Sequence, residues 1–461
     1  MLERVFINMK KKWNAIMAVF CILLTACTNS DNTDTNQIIA ETSETESVNS
    51  EISNSQTAHD VESESSVHKV YPANGSVKKL LSEFAVESRH LSESGRDNAA
   101  KFIVNKLQSS GWNVTQKKFP VYRYKNIFSE PYNISENGEP VGTGNNIIAE
   151  LPNFDRNKPT LILSAHYDTT KDNVGIIDNG SGTAFLLSSG EWLSDFDRDF
   201  NLRLIFFDVE ESRMYGSKYY LEQLTDEERS KIIADINFDV IGGNHLSVGT
   251  VNGFENALSI YLEQLAEVES DLSDKGSSSD SDPFMHWQIP SVTYIDLGLP
   301  IDPCENSSYI DYVSDESFDT LASQLADIIN EFDIDEFTAM KNSQIKTDYN
   351  GKNIDNIYKA MANISIKGFR TAKLYTAVYE NGISSCFCCD YASEDGRSFT
   401  IRSLSEVGNE DFSPLTGIPS FEDCINQATN GELLVDKYVQ YSIIGNLSND
   451  ELMDVWSQMR Q

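Results

Sequence analysis

The chain has 461 residues, 40% of them hydrophobic, with a formal net charge of −35. That length exceeds one ordinary core, and the apolar content suffices for two folded domains plus extensions. A surface this acidic repels nucleic acid and anionic lipid, which removes both from the candidate partners.

Lys10, Lys11 and Lys12 form a positive cluster, followed by an apolar run from about Ala15 to Leu24 that ends in Leu24-Thr25-Ala26-Cys27. A positive start, a short apolar stretch and small residues before a cut are the marks of an export signal. The run falls short of the roughly 20 residues that span a bilayer. Leu24–Cys27 also resembles a bacterial lipobox, which implies cleavage before Cys27 and acylation of its sulfur; an ordinary signal peptide or a short anchor helix is the other reading. The expectation is a lipoprotein signal peptide over 1–27 and a lipid-anchored protein on the extracytoplasmic face of the cell membrane. Residues 28–68 are rich in Ser, Thr, Asn and Glu. They hold too few large apolar groups to bury a core and predict a disordered tether. Beyond Cys21 and Cys27 the cysteines are Cys304, Cys386, Cys388, Cys389 and Cys424. An odd number outside the cytoplasm leaves at least one thiol free or paired with another molecule.

From residue 69 the composition turns globular. "GRDNAAKFIVNKLQSSG" carries apolar residues at helical spacing and stops at Gly111. "WNVTQKKFPV" alternates like a strand, "NNIIAELP" is a short apolar run, and "TLILSAHYD" is a buried-type strand ending in polar groups. A helix over Thr183 to Leu193, the strand "LRLIFFDVEE", a helix near Met214 to Leu224 and the strand "ADINFDVIG" follow. A helix over 254–268, the strand "PSVTYID" and a helix from Ser317 to Phe332 close this region. Strands alternating with helices predict an α/β three-layer sandwich with a mainly parallel central sheet over 69–333. Around Asp333 to Thr347 the chain looks polar and irregular. Residues 346–461 predict a small C-terminal α+β domain, from the helical "NIDNIYKAMANI" and the strand-like "GFRTAKLYTAVYENG" and "RSFTIRSLS".

In such sheets, sites form beyond the carboxyl ends of the strands. The polar clusters stand there: His166 and Asp168 after one strand, Glu210 and Glu211 after the second, Asp239 after the third. Asp178 stands in "DNGSG", where glycines allow close backbone packing at a helix start. A divalent metal needs imidazole nitrogen or carboxylate oxygen at about 2 Å. Two ions roughly 3.5–4 Å apart need a carboxylate that bridges them. Of two adjacent glutamates, one can bind metal while the other moves a proton. Asp168 suits the task of orienting the His166 imidazole. Cys386-Phe387-Cys388-Cys389 lacks the second pair that a four-cysteine zinc site requires, so a disulfide, with Cys424 as one partner to consider, is the expectation.

"SAHYDT", "IIDNGSGTA", "FFDVEESRMYGS" and "NFDVIGG" resemble the successive motifs of the zinc aminopeptidase family of aminopeptidase Y and the bacterial leucyl aminopeptidases. The resemblance runs over roughly residues 80–332. It implies a two-zinc metallo-exopeptidase acting on peptide substrates. His166 would bind one zinc, Asp178 would bridge both, and Glu211 and Asp239 would each hold one. Glu210 would be the general base that takes a proton from water and passes it to the leaving amine. The sequence departs from the family at its fifth ligand, a histidine four residues before an aspartate. Counting back from Asp315 puts Asp311 there. Three options follow: Asp311 replaces the histidine; His286 or another group does; or the second site is weak, empty or holds another ion. The family's Ser-Asp-His loop is here Ser279-Asp280-Ser281. Two competing functions are a glutaminyl cyclase-like enzyme with a single zinc and a non-catalytic, peptidase-like binding module.

Overall fold

The computed structural model describes residues 69–122, 139–250, 255–266, 270–271, 279–302, 304–348, 361–378, 385–405, 433–436 and 439–459. The signal and tether expectations, Cys27, Cys424 and most of the helix expected at 353–364 lie outside these residues. Among the described residues no helix is long and apolar enough to cross a membrane.

The first sheet has eight strands: β1 (Asn113–Val121), β2 (Gly142–Glu150), β3 (Thr160–His166), β4 (Asn201–Phe207), β5 (Ile232–Phe238), β6 (Leu246–Gly249), β7 (Ser270–Asp271) and β8 (Ser291–Asp296). Their order is β1-β2-β4-β3-β5-β8-β6-β7. The middle run β4-β3-β5-β8 is parallel, and β1, β2 and β6 pair antiparallel towards the edges. Every residue of β3 is buried, as expected for a parallel strand covered on both faces.

Alternation along the strands divides the interior into two cores. Leu161, Leu163 and Ala165 of β3, with Leu204 and Phe206 of β4, face the helices Val77–Phe84, Ser94–Ser109, Gly182–Trp192 and Asp315–Glu331. Ile162 of β3, with Ile205 and Phe207 of β4, faces Tyr220 and Leu221 of the helix Tyr215–Glu222 and Phe284 of the helix Ser281–His286. The result is the three-layer α/β sandwich anticipated from the alternating pattern.

The second sheet is antiparallel throughout. It comprises β9 (Ile345–Asp348), β10 (Phe369–Val378), β11 (Ser385–Ser393), β12 (Ser398–Ser405), β13 (Leu433–Asp436) and β14 (Val439–Gly445), in the order β13-β14-β12-β11-β10-β9. Phe387, Cys389, Tyr391, Phe399 and Ile401 pack with Leu452 and Val455 of the helix Asn449–Met459 into a separate core.

Two expectations are corrected. The stretch expected to be irregular holds the helix Ile334–Lys341. The Asp333 carboxylate caps it by accepting the Glu336 N–H at 2.9 Å, and Phe337 is buried against Tyr261 and Phe332. The expected disulfide of the Cys386–Cys389 stretch is not formed: all three cysteines are thiols. Cys386 and Cys388 share one face of β11 with sulfurs 3.5 Å apart, while Cys389 points to the opposite face. Among the described residues Cys304 is disulfide-bonded.

Candidate metal centre

His166 is the last residue of β3, which lies between β4 and β5 in parallel register. The carboxyl ends of three neighbouring strands therefore place their following residues together: Asp168 after β3, Glu210 and Glu211 after β4, Asp239 after β5. Asp178 arrives from the turn Ile176–Ser181 that leads into the helix Gly182–Trp192. Asn179 holds this turn on β5, donating from Nδ2 to the Phe238 carbonyl at 2.8 Å and accepting the Gly182 N–H at 2.9 Å. A Cβ on Gly182 would stand 2.2 Å from that same carbonyl, so the approach of helix to strand needs glycine.

His166 Nε2 lies 3.2 Å from Asp178 Oδ1, 3.3 Å from Asp239 Oδ1 and 4.0 Å from Glu210 Oε2. One ligand atom each from His166, Asp178 and Asp239 falls within 4.8 Å of the others. Both ring nitrogens of His166 and Asp239 Oδ1 are buried with no hydrogen-bond partner. Nδ1 faces Asp168, whereas lone pairs stranded on Nε2 and on Asp239 Oδ1, 3.3 Å apart, are costly, and a cation between them satisfies both. Imidazole nitrogen with carboxylate oxygen is a donor set that suits zinc, so the residues present fit the metal.

Asp168 backs the centre. Its Oδ1 is 3.4 Å from His166 Nδ1, and its carboxylate accepts the backbone N–H groups of Glu210 at 2.9 Å and Glu211 at 3.3 Å. One side chain thus sets both the imidazole and the turn carrying the glutamate pair. That turn, Glu210–Ser212, is flanked by left-handed Val209, Arg213 and Met214, at φ 66°, 70° and 54°. Left-handed backbone at a β-branched residue such as Val209 is strained and points to a local demand. Ser279 Oγ donates to Asp239 Oδ2 at 2.7 Å, which leaves Oδ1 for the centre. Glu211 Oε1 accepts the Thr170 N–H at 3.1 Å.

Burial pushes the Glu210 carboxyl well above its ordinary range and raises the pKa of Glu211 to about 9, with Asp178 adding to the latter. Burial also lifts Asp178, and takes Asp280 up to about 8. Asp239 is lowered, because the His166 charge and the Ser279 hydroxyl outweigh its burial. For His166 burial resists the charge, but Asp239 and Glu210 win and raise its pKa well above that of an ordinary imidazole. The buried guanidinium of Arg89, itself lowered to about 10 by burial, donates to the carbonyls of Tyr167, Val174 and Gly175 at 2.6, 2.6 and 2.9 Å. Six carboxyls (Asp168, Asp178, Glu210, Glu211, Asp239 and Asp280) thus gather around His166 with Arg89 as the nearby fixed cation, a balance that favours divalent cations.

The remaining expected site residues lie apart from this trio. Asp311 stands in the turn Ser307–Tyr312, which packs on the Asp178 turn, and is exposed. His286 ends the helix Ser281–His286 with its ring against Trp287. Cys27 lies outside the described residues. Sequence reasoning gave no role to Asp280, which is fully buried, bonded to Ser217 Oγ and close enough to raise Glu210. It also passed over Arg89 and Glu305. The signal for Asp280 was its place in the Ser-Asp-Ser loop; Arg89 and Glu305 stand in no local pattern.

Residues 146–350 match the family model described as Peptidase family M28. Aminopeptidase YwaD of Bacillus subtilis (strain 168) is 30% identical over 162 residues, which are 33% of this chain and 36% of that protein. Leupeptin-inactivating enzyme 1 of Streptomyces exfoliatus is 38% identical over 102 residues, 22% of this chain and 23% of that protein. The chain therefore spans little more than a third of the length of these relatives at most. The structure of BSAP, a zinc aminopeptidase from Bacillus subtilis, superimposes on 55% of this chain and 94% of its own, with a TM-score of 0.46 and 16% identity.

Proposed function

We propose that this chain, whose residues 146–350 match the model of peptidase family M28, is an extracytoplasmic, zinc-dependent aminopeptidase held to the membrane by a lipid on Cys27. The observation that carries the enzymatic part is the convergence of unsatisfied His166 and Asp239 atoms with Asp178 on one point. Support for an oxidising compartment comes from the Cys304 disulfide.

His166, Asp178 and Asp239 would hold zinc, with Glu211 and Asp311 completing a second position. Zinc bound there supplies Lewis acidity to the scissile carbonyl and to the attacking water. Glu210, buried and 4.0 Å from His166 Nε2, accepts the proton of that water and returns it to the amine that leaves. Asp168 keeps the imidazole and the Glu210 turn in register throughout.

The test measures metal content and turnover on purified protein. Two zincs with cleavage of an amino-acid anilide support the reading. A metal-free protein, or one that turns over neither anilide nor peptide, overturns it. A glutaminyl cyclase-like enzyme with one zinc is the second reading, favoured by Asp311 lying exposed and outside the trio. One zinc together with cyclisation of a glutaminyl peptide selects it.

A further inference from the structure

His166 and Asp239 are placed by strands, but Asp178 sits in non-helical backbone at φ −105°, ψ 102°. Something other than a regular element must hold it. The loop after β8 supplies the contact. Glu305 is 2% exposed, and its carboxylate reaches the turn: Oε2 accepts the Ile177 N–H at 2.7 Å and Oε1 the Asp178 N–H at 3.3 Å. The carbonyl of Glu305 accepts the Val174 N–H at 3.3 Å, and that of Asp302 accepts from Asn173 Nδ2 at 3.3 Å. On the other side Arg89 grips the carbonyls of Tyr167, Val174 and Gly175. The segment between the two ligands is therefore held by its carbonyls from Arg89 and by its N–H groups from Glu305.

We propose that Glu305 is a positioning residue of the metal centre, whose carboxylate bonds the backbone N–H groups of Ile177 and Asp178 and so sets the Asp178 side chain against His166. The inference rests on reading the trio as a zinc site. A buried carboxylate is costly unless donors meet it, and charge-assisted bonds to N–H groups are short and strong. Without Glu305 those N–H groups turn to water, and the one ligand outside regular structure loosens. Glu305 itself bonds backbone N–H groups and stands outside the trio.

The test uses the full chain, metal-free, as wild type, Glu305→Ala and Glu305→Gln. Zinc is titrated against a chromophoric chelator, and the visible spectrum of the Co2+-loaded protein is recorded. Thermal midpoints of the metal-free proteins are measured separately. Partners that orient metal ligands are typically worth about 10- to 100-fold in affinity. Glu305→Ala is expected to lose that much zinc affinity and to shift the Co2+ bands. Glu305→Gln, which keeps an acceptor oxygen, should recover part of both. Unchanged zinc affinity and an unchanged Co2+ spectrum in Glu305→Ala overturn the inference even if that variant is less stable. Should Glu305→Ala not fold, unchanged affinity in Glu305→Gln overturns it. A wild-type chain that takes up no zinc overturns the metal-centre reading, and the inference with it; only in that case does the wild type fail.

Discussion

Glu210 and Glu211 are neighbours with the same side chain, yet their surroundings separate them. Glu211 is tied to the Thr170 N–H, whereas Glu210 faces His166 and feels Asp280. If Glu210 moves the proton, Glu210→Gln should keep its zinc and lose turnover by about 10²- to 10⁴-fold. Metal analysis beside steady-state kinetics decides this, and a variant as active as wild type removes Glu210 from the chemistry. Asp311→Ala should lower the zinc stoichiometry from two towards one without disturbing the tighter ion. An unchanged stoichiometry by elemental analysis would show that Asp311 holds no metal. Asp235 gives a residue-scale prediction unconnected with metal. It lies inside the sheet with Ser164 Oγ at 2.7 Å and Ser291 Oγ at 2.6 Å. Burial, opposed by those two hydroxyls, raises its pKa to about 7, against about 3.9 in the unfolded chain. Between these values the folded state holds the extra proton, so stability falls as pH rises from about 4 to 7, by on the order of 2–4 kcal/mol. Asp235→Asn abolishes that titration. Urea unfolding of the metal-free proteins at pH 5 and pH 8 should show the variant losing less stability than wild type, and equal losses would refute the assignment.

At the scale of elements, what sequence pattern can show depends on whether the signal is local. β3, β4 and β5 are apolar runs long enough to mark buried parallel strands, and their polar ends are where strand topology puts a site. The meeting of His166, Asp178 and Asp239 was legible for that reason. The helix Ile334–Lys341 was not, because its single buried residue, Phe337, makes no periodic pattern. The Arg89 and Glu305 contacts were invisible too: each is a lone charged residue whose partners are distant in the chain and are backbone atoms. Asp311 shows the opposite failure, since a motif position identifies a candidate without saying which way it faces. The glycines of "DNGSG" were legible in kind, and the structure gives them a magnitude. Gly182→Ala would drive a methyl group into the Phe238 carbonyl and the Asn179 amide. Such overpacking typically costs about 1–3 kcal/mol. The helix can relieve it only by withdrawing from β5, which separates Asp178 from Asp239. Denaturant midpoints and zinc affinity should therefore fall together. A variant that loses stability but keeps zinc affinity would show that the helix start and the ligand turn move independently.

For the whole molecule, the two sheets have separate interiors. Among the described residues the cores of the eight-stranded and six-stranded sheets share no buried side chain, and Ile345 at the start of β9 packs partly buried against the first core. The trio that fits zinc belongs wholly to the first sheet and the turn beside it. A ligand that binds only the folded state stabilises by mass action, about 2.7 kcal/mol at a free concentration of 100 times its dissociation constant. For a domain of 150–250 residues that corresponds to roughly 5–10 °C in thermal midpoint. Calorimetry of the metal-free chain should therefore resolve two transitions. Added zinc should raise one by this amount and leave the other in place, and His166→Ala should lose the shift. A single transition, or two that rise together, would show that the sheets unfold as one cooperative unit, with the stabilisation spreading through β9 to the six-stranded sheet.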